Sequence, residues 1–317
     1  MKNLKYKLAS LLSAFTITAF AQPIELVVPY PAGGSTDRFG RVVAQILSDA
    51  GEPTLVSNRP GADTTIASNY VAKAKGDGKV LYLCGIGFLD ANLAFKNRPE
   101  GIEYTRTSFS NIALLGSGTL VLAVSQKVPV NTYEEFKNYV KNNPNAFNVG
   151  FFNQNIANLF YVWAKKEGLP VPNIVMYKGS TPMGADLLGG HIQFAWDTFN
   201  TIEPHITSGK VKVVAVLDSI GHPLVTKATG KELFNVAAKY PELNMPIFYG
   251  LCGPAFMDPN TIKKLNKIVV NGLKDPKYTQ GLTDSYIGVS GGSPAELDRM
   301  HSNLYLLFRR VARETDK

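Results

Sequence analysis

The sequence predicts an α/β protein of two domains, each a mostly parallel sheet flanked by helices on both faces. Three observations predict it. Short β-rich runs alternate with runs of helical periodicity from Ile24 onward. Gly- or hydroxyl-rich loops join strand to helix in several of these steps. The chain has 317 residues, 45% hydrophobic and 18% charged, enough for two cored domains and too apolar for a disordered chain.

The first 21 residues read as an export signal. Lys2, Lys5 and Lys7 precede an uncharged run from Leu8 to Ala21, which closes with Ala19-Phe20-Ala21 before Gln22. That run of 14 residues is short of the roughly 20 that a spanning helix needs. Cleavage is predicted after Ala21, giving a periplasmic protein. With 21 residues and three basic groups removed, the formal charge falls from +8 to +5. The remaining basic residues are dispersed and rarely alternate with aromatics, so no nucleic-acid partner is predicted.

The elements follow in order. Ile24–Pro29 is a strand, and Phe39, Val42, Val43, Ile46 and Leu47 mark the face of the helix after it. Leu55–Ser57 and Val80–Cys84 are further strands, with a helix through Tyr70, Val71 and Ala74 between them. Ile112–Leu115 and Leu120–Val124 are strands separated by a Gly-Ser-Gly-Thr break. Thr132–Glu135 is a capping box that opens a helix. Phe147–Phe152, Ile174–Tyr177, Ile192–Trp196 and Val211–Leu217 are strands, and Pro182 is placed at a first helical position. Ile247–Cys252 is the return strand, Asp258-Pro259 opens a helix, and Ser293–Glu296 is a second capping box before a long terminal helix. The predicted division is residues 22–124 plus 240–317 for a discontinuous first domain and 125–239 for the second.

Several chemistries are missing. The four histidines lie in no metal-ligand spacing, and there is no phosphate-binding GxxxxGK[ST] motif, so no metal or cofactor is predicted. Cys84 and Cys252 are 168 positions apart, each at the end of an apolar run. The reading favours two buried free thiols and leaves a bridge open, since sequence cannot bring two Cα atoms within reach. Gly288–Gly292 matches GxSxG around Ser290, but the next helix signal comes only at Ser293 and the only downstream histidine is His301. A nucleophile elbow starts its helix at the serine, so the favoured reading is a Gly-rich connection and no enzyme. A secreted serine hydrolase using Ser290 is kept as the lesser alternative.

The strongest feature is Tyr30–Asp37. Gly33 and Gly34 let backbone approach a ligand, and Ser35, Thr36 and Asp37 suit a helix start. A strand-to-helix loop of this kind presents free N–H groups to an anion without any cationic side chain. Counterparts follow other strands: Gly85-Ile86-Gly87, Phe152-Asn153-Gln154-Asn155, Tyr177-Lys178-Gly179-Ser180-Thr181 and Asp197-Thr198. Ligands in open α/β sheets bind at the carboxyl ends of strands, so two such edges facing each other make a cleft.

These residues resemble a known family. "IELVVPYPAGGSTD" at Ile24–Asp37, Arg41, "NRPGA" at Asn58–Ala62 and Asp77-Gly78 are similar to the Bug-type receptors of tripartite tricarboxylate transporters. So are "YKGS" at Tyr177–Ser180, "DLLGGHIQFAWD" at Asp186–Asp197, "SGKVKVVAV" at Ser208–Val216, "GLCGPA" at Gly250–Ala255 and "GVSGGSPAEL" at Gly288–Leu297. The resemblance implies a monomeric, periplasmic, two-domain Venus-flytrap fold of type II that binds a small carboxylate between its domains. It implies delivery to the membrane permease subunits of a secondary transporter. By position, Tyr30, Gly33, Gly34, Ser35, Thr36 and Asp37 would hold a carboxylate, and Gly87 would line the first domain. Tyr177, Lys178, Gly179, Ser180 and Asp197 would line the second, with Phe152, Asn153, Gln154 and Thr198 beside them.

The sequence departs from that pattern in places. Ala32 stands where Pro is usual, and "NRPGA" is followed by Asp63-Thr64-Thr65-Ile66 where Gly is usual. Gly150–Asn155 replaces a Gly-x-Gly-Ser loop, giving a less anion-selective wall. Asp197 has two readings, a partner for an ammonium group of an amino-acid-like ligand or a cap of the next helix. A receptor-like sensor domain for a carboxylate is the alternative to transport.

Overall fold

The computed structural model describes residues 22–85, 92–95, 100–144, 146–219 and 221–315. The predicted signal segment and Gly87 lie outside the described residues.

In chain order the strands are β1 (Ile24–Val28), β2 (Thr54–Asn58), β3 (Val80–Gly85), β4 (Phe109–Gly118), β5 (Leu120–Ser125) and β6 (Asn148–Phe151). They continue as β7 (Asn173–Met176), β8 (Phe194–Thr198), β9 (Val211–Val216), β10 (Phe234–Asn235), β11 (Ile247–Pro254) and β12 (Gly288–Gly292). Two six-stranded sheets form, in the orders β12-β4-β11-β3-β1-β2 and β10-β9-β5-β8-β6-β7. Both are mixed, with most strands of each running in one direction as expected. β1 pairs parallel with β2 and β3, whereas β11 runs antiparallel to β3 and β4. In the second sheet β6 pairs parallel with β7 and β8, and β5 is antiparallel to β8 and β9. β5 and β11 are the strands by which the chain enters each sheet from the other, so they run against the grain of the βα units, as does the edge strand β12 paired to β4.

The first crossing is a single residue, Thr119. Strand β4 runs straight through Gly116-Ser117-Gly118, which had been expected to break it. Residues 120–124, expected in the first domain, therefore form β5 of the second sheet. The second crossing leads from β10 to β11.

The helices are α1 (Ser35–Asp49), α2 (Thr65–Ala72), α3 (Tyr133–Asn142), α4 (Gln154–Lys166), α5 (Ser180–Gly189) and α6 (Phe199–Thr207). After them come α7 (His222–Thr229), α8 (Val236–Lys239), α9 (Pro259–Gly272), α10 (Pro276–Thr283) and α11 (Pro294–Thr315). Local chemistry explains their starts. Thr132 Oγ1 accepts from the Glu135 N–H at 3.2 Å, and Asp258 Oδ2 accepts from the Thr261 N–H at 2.9 Å. Ser293 and Glu296 form the reciprocal capping box, at 2.6 and 3.2 Å. Helix α5 starts at Ser180, two residues before the Pro182 expected to open it.

Each sheet is covered on both faces, so its central strands are largely apolar; β5 and β8 are buried at every residue, with Ser125, Asp197 and Thr198 as their polar members. In the second domain Trp163, Trp196, Phe136 and Phe194 form one fully buried cluster with edge and stacked contacts at 5.0–6.1 Å. The terminal helix α11 packs against β4 of the first sheet and reaches α4 of the second domain.

Cys84 and Cys252 form a disulfide across the paired strands β3 and β11, with 5.8 Å between their Cα atoms. The expected free thiols are thus corrected. Antiparallel pairing of β11 on β3 brings together residues that the sequence separates by 168 positions.

Candidate functional site

The first turn of α1 and the first turn of α5 face each other across the gap between the sheets. Between them lies an inner recess of about 20 Å³, lined by Tyr30, Pro31, Gly34, Ser35, Thr36, Phe152, Ser180, Thr181 and Thr198. That volume is of the order of one water molecule. An outer chamber of about 500 Å³ adjoins it and shares Tyr30 and Phe152. Its further walls are Pro29, Gly61–Thr64, Gln154, Met176, Tyr177 and Lys178. Tyr30 and Phe152 come from opposite domains and meet edge to face, with ring centroids 6.1 Å apart. Every one of these loops follows the carboxyl end of a strand.

The recess is assembled by the loop after β1. Gly33 has φ +92°, in the left-handed region where glycine is favoured. Gly34 caps α1 with extended backbone, φ −75° and ψ 171°, so it serves by its small size. Ser35 and Thr36 are buried in the first helical turn, where N–H groups have no partner within the helix. Among the described residues no cationic side chain lines the recess. The helix dipoles and peptide N–H groups supply its positive field.

Asp37 is engaged by its own neighbours. Its Oδ2 accepts from the Gly33 N–H at 3.0 Å and from Arg41 Nε at 2.9 Å. Its Oδ1 accepts from Arg41 Nη2 at 3.2 Å and from Asn58 Nδ2 at 2.9 Å. Burial alone would raise this carboxyl; the bonds from Arg41, Gly33 and Asn58 outweigh it and hold the group below the usual carboxylate range. With both oxygens committed, Asp37 is the clamp of the loop. Asn58 also donates to the Tyr30 carbonyl at 2.9 Å, so the Asn of the "NRPGA" stretch ties β2 to the same loop.

On the opposite wall Asp197 is fully buried. Its Oδ1 accepts from Ser180 Oγ at 2.5 Å and from the Thr198 N–H at 2.7 Å, while Oδ2 has no partner among the described residues. Burial raises its pKa to about 7, against the lowering effect of those bonds. Asp197 does not cap α6: the cap position is Thr198, whose own hydroxyl meets Thr201 at 2.9 Å. Since the Ser180 hydroxyl donates to Asp197, it turns an acceptor lone pair toward the recess.

Ten of the sequence-predicted residues divide between the two spaces, while Gly33, Asp37, Asn153, Gly179 and Asp197 line neither. Tyr30, Gly34, Ser35, Thr36, Phe152, Ser180 and Thr198 line the recess; Tyr177, Lys178 and Gln154 line the outer chamber. Tyr177 is anchored by donating its hydroxyl to Asp186 Oδ2 at 2.7 Å. Gly179 makes the interdomain contact, since a Cβ there would stand 2.9 Å from Pro31 Cδ. Asn153 caps α4 by accepting from the Asn155 N–H at 2.8 Å.

Sequence reasoning missed Pro31 and Thr181 in the recess, and Pro29, Gly61–Thr64 and Met176 in the chamber. The Gly61–Thr64 segment is the informative omission. Its φ values are +126°, +45°, +51° and +72°, so three non-glycine residues in a row, Ala62, Asp63 and Thr64, are left-handed. Each such residue costs of order 1–3 kcal/mol. A non-Gly run where Gly is usual was the available signal.

Ser290 lies exposed in the edge strand β12, and the following helix begins at Pro294, so no nucleophile elbow forms. His301 is buried against Phe248, ring centroids 5.2 Å apart, and beside the Cys84–Cys252 bridge. Among the described residues no helix is long and apolar enough to cross a membrane.

Comparison with known proteins gives a consistent result. The sequence profile described as "Tripartite tricarboxylate transporter family receptor" matches residues 39–305. The chain is 28% identical to BugT of Bordetella pertussis over 259 residues, 80% of this chain and 77% of that one. It superposes on the periplasmic binding protein BugD with a TM-score of 0.78 at 26% identity, covering 91% and 97% of the two chains. It also shares its fold with an R. palustris protein solved with adipate, at a TM-score of 0.81 and 24% identity over 92% and 96% of the chains.

Proposed function

The chain belongs to the family of tripartite tricarboxylate transporter receptors, and from that premise we propose that it is an exported receptor for a small carboxylate. The carboxylate sits between the first turns of α1 and α5, and the rest of the ligand extends past the Tyr30–Phe152 pair into the outer chamber. The receptor delivers its ligand to the membrane subunits of a secondary transporter, and residues 1–21 direct its export.

The observation that carries this reading is the inner recess. Two helix N-termini, from opposite domains, converge on a space lined by Ser35, Thr36, Thr181 and Thr198 and by no charged side chain. Peptide dipoles aimed at one point from both sides stabilise an anion only when the cleft is shut, because each domain contributes half of the donors. Binding and closure are thereby the same event. The fold shared with an adipate-bound R. palustris protein supports a carboxylate as the ligand class.

The outer chamber tells something of the ligand's body. Tyr30, Phe152, Met176 and Pro29 give it apolar walls, and Lys178 and Asp63 stand at its edge. An aliphatic or aromatic acid fits these walls, with Lys178 available to a second acidic group. A thermal-shift screen of mono-, di- and tricarboxylates, aromatic acids and amino acids tests the reading. Ligands should raise the unfolding temperature in proportion to RT ln(1 + [L]/Kd). No shift with any carboxylate would refute it.

A further inference from the structure

We propose that Asp63 is a cross-cleft positioning residue: bound to Asn153, the cap residue of α4, it fixes the closed arrangement in which the inner recess is assembled. This rests on the receptor reading only where a ligand is used as the readout.

Asp63 belongs to the first domain and its partners to the second. Asp63 Oδ1 accepts from Asn153 Nδ2, the cap of α4, and burial raises the Asp63 carboxyl to about 7. A second strand of the same network runs beside it. Asn92 Nδ2 donates to the Asp63 carbonyl at 2.8 Å, and Asn155 Nδ2 donates to Asn92 Oδ1 at 2.8 Å. Asn153 Oδ1 closes the set by accepting from the Asn155 N–H. Asn92, Asn153 and Asn155 are all essentially inaccessible to solvent. Buried amides are tolerated only when satisfied, so this network admits one register between the domains.

The backbone supports the same conclusion. Ala62, Asp63 and Thr64 hold left-handed conformations that β-branched and alanine side chains avoid. Such strain persists only when the surroundings impose it, and it aims the Asp63 side chain across the cleft. Two of the stretches where the sequence leaves the resembled pattern, Asp63–Ile66 and Gly150–Asn155, meet here. A carboxylate at the N-terminus of α4 also gains from the helix dipole, an interaction that disappears when the cleft opens.

Three substitutions separate this role from plain structural support. Asp63→Gly removes the carboxylate and relieves the left-handed strain. Asn153→Ser keeps the cap of α4 but is too short to reach Asp63. Asp63→Asn keeps an acceptor and tolerates the left-handed region. In the ligand-free protein, small-angle scattering should show Asp63→Gly and Asn153→Ser more open than wild type at an unchanged unfolding temperature. Amide exchange at residues 154–156 should quicken in both. Asp63→Asn should restore the wild-type curve. With adipate as probe, Kd should rise roughly tenfold in the first two variants, because fewer molecules are closure-competent.

Scattering and exchange profiles identical to wild type in both Asp63→Gly and Asn153→Ser would overturn the proposal. Equal opening accompanied by a lowered unfolding temperature, unrescued by Asp63→Asn, would overturn it too. A wild type that ignores every carboxylate while Asp63→Gly still opens the cleft would instead refute the receptor reading and leave Asp63 in its place.

Discussion

Gly179 and Pro31 touch across the cleft: a Cβ built on Gly179 would stand 2.9 Å from Pro31 Cδ. Gly179 has φ 164°, extended backbone that any residue adopts, so only the opposite domain forbids a side chain there. Gly179→Val should therefore fold normally and fail to close. A weakening of ligand binding by about 100-fold, or about 2.8 kcal/mol, is expected in calorimetric titration. An unchanged Kd would mean that ligand binds without this closure.

The two glycines of the α1 loop should respond differently. Gly33 is left-handed with no atom within 4 Å of a built Cβ, so Gly33→Ala strains the backbone by about 1 kcal/mol and intrudes on nothing. Gly34 lines the recess in an extended conformation, so Gly34→Val fills the space meant for the ligand. Urea unfolding and a binding titration should separate them: a small stability loss with binding kept in Gly33→Ala, and binding abolished in Gly34→Val.

Asp197 predicts a particular pH dependence. Burial raises its carboxyl from 3.8 to about 7 in the folded protein. Between those values the folded state holds a proton that the unfolded state has lost, so its contribution is full below about pH 4 and declines as pH rises to 7. The slope is at most about 1.4 kcal/mol per pH unit. The difference in urea midpoint between wild type and Asp197→Asn should drift across pH 4–7 and level off above it. A constant difference would show that Asp197 titrates normally.

The Cys84–Cys252 bridge closes a loop of 168 positions that contains the whole second domain. Replacing both cysteines with alanine should lower stability by roughly 2–5 kcal/mol. Adding dithiothreitol to the wild type should reproduce the same shift in the urea midpoint. The paired strands β3 and β11 still hold the fold together, so far-ultraviolet circular dichroism before unfolding should be unchanged.

Much of the fold was legible in local pattern. The strand cores, the capping residues Thr132, Asp258 and Ser293, and the loop at Tyr30–Asp37 all follow from spacing and side-chain chemistry within a few residues of each other. Sheet direction was less legible, because nothing local marks β5 and β11 as strands that enter antiparallel from the other domain. Gly116–Gly118 looked like a break for the same reason: pairing with β11, and at Gly116 the close approach of β12, keeps it extended.

The sequence by itself determined that this is an α/β protein with hydroxyl- and glycine-rich helix starts at its strand ends, and it determined the family. Those properties are carried by short-range periodicity and ordered motifs. Only the tertiary structure decided that Asp37 is bonded to Arg41, Gly33 and Asn58, and that Cys84 is bonded to Cys252. It also decided that Asp63 reaches Asn153 from 90 positions away. Each of these is set by which surfaces the two sheets turn toward one another, and burial, not residue type, then fixes the charge and partner of each group.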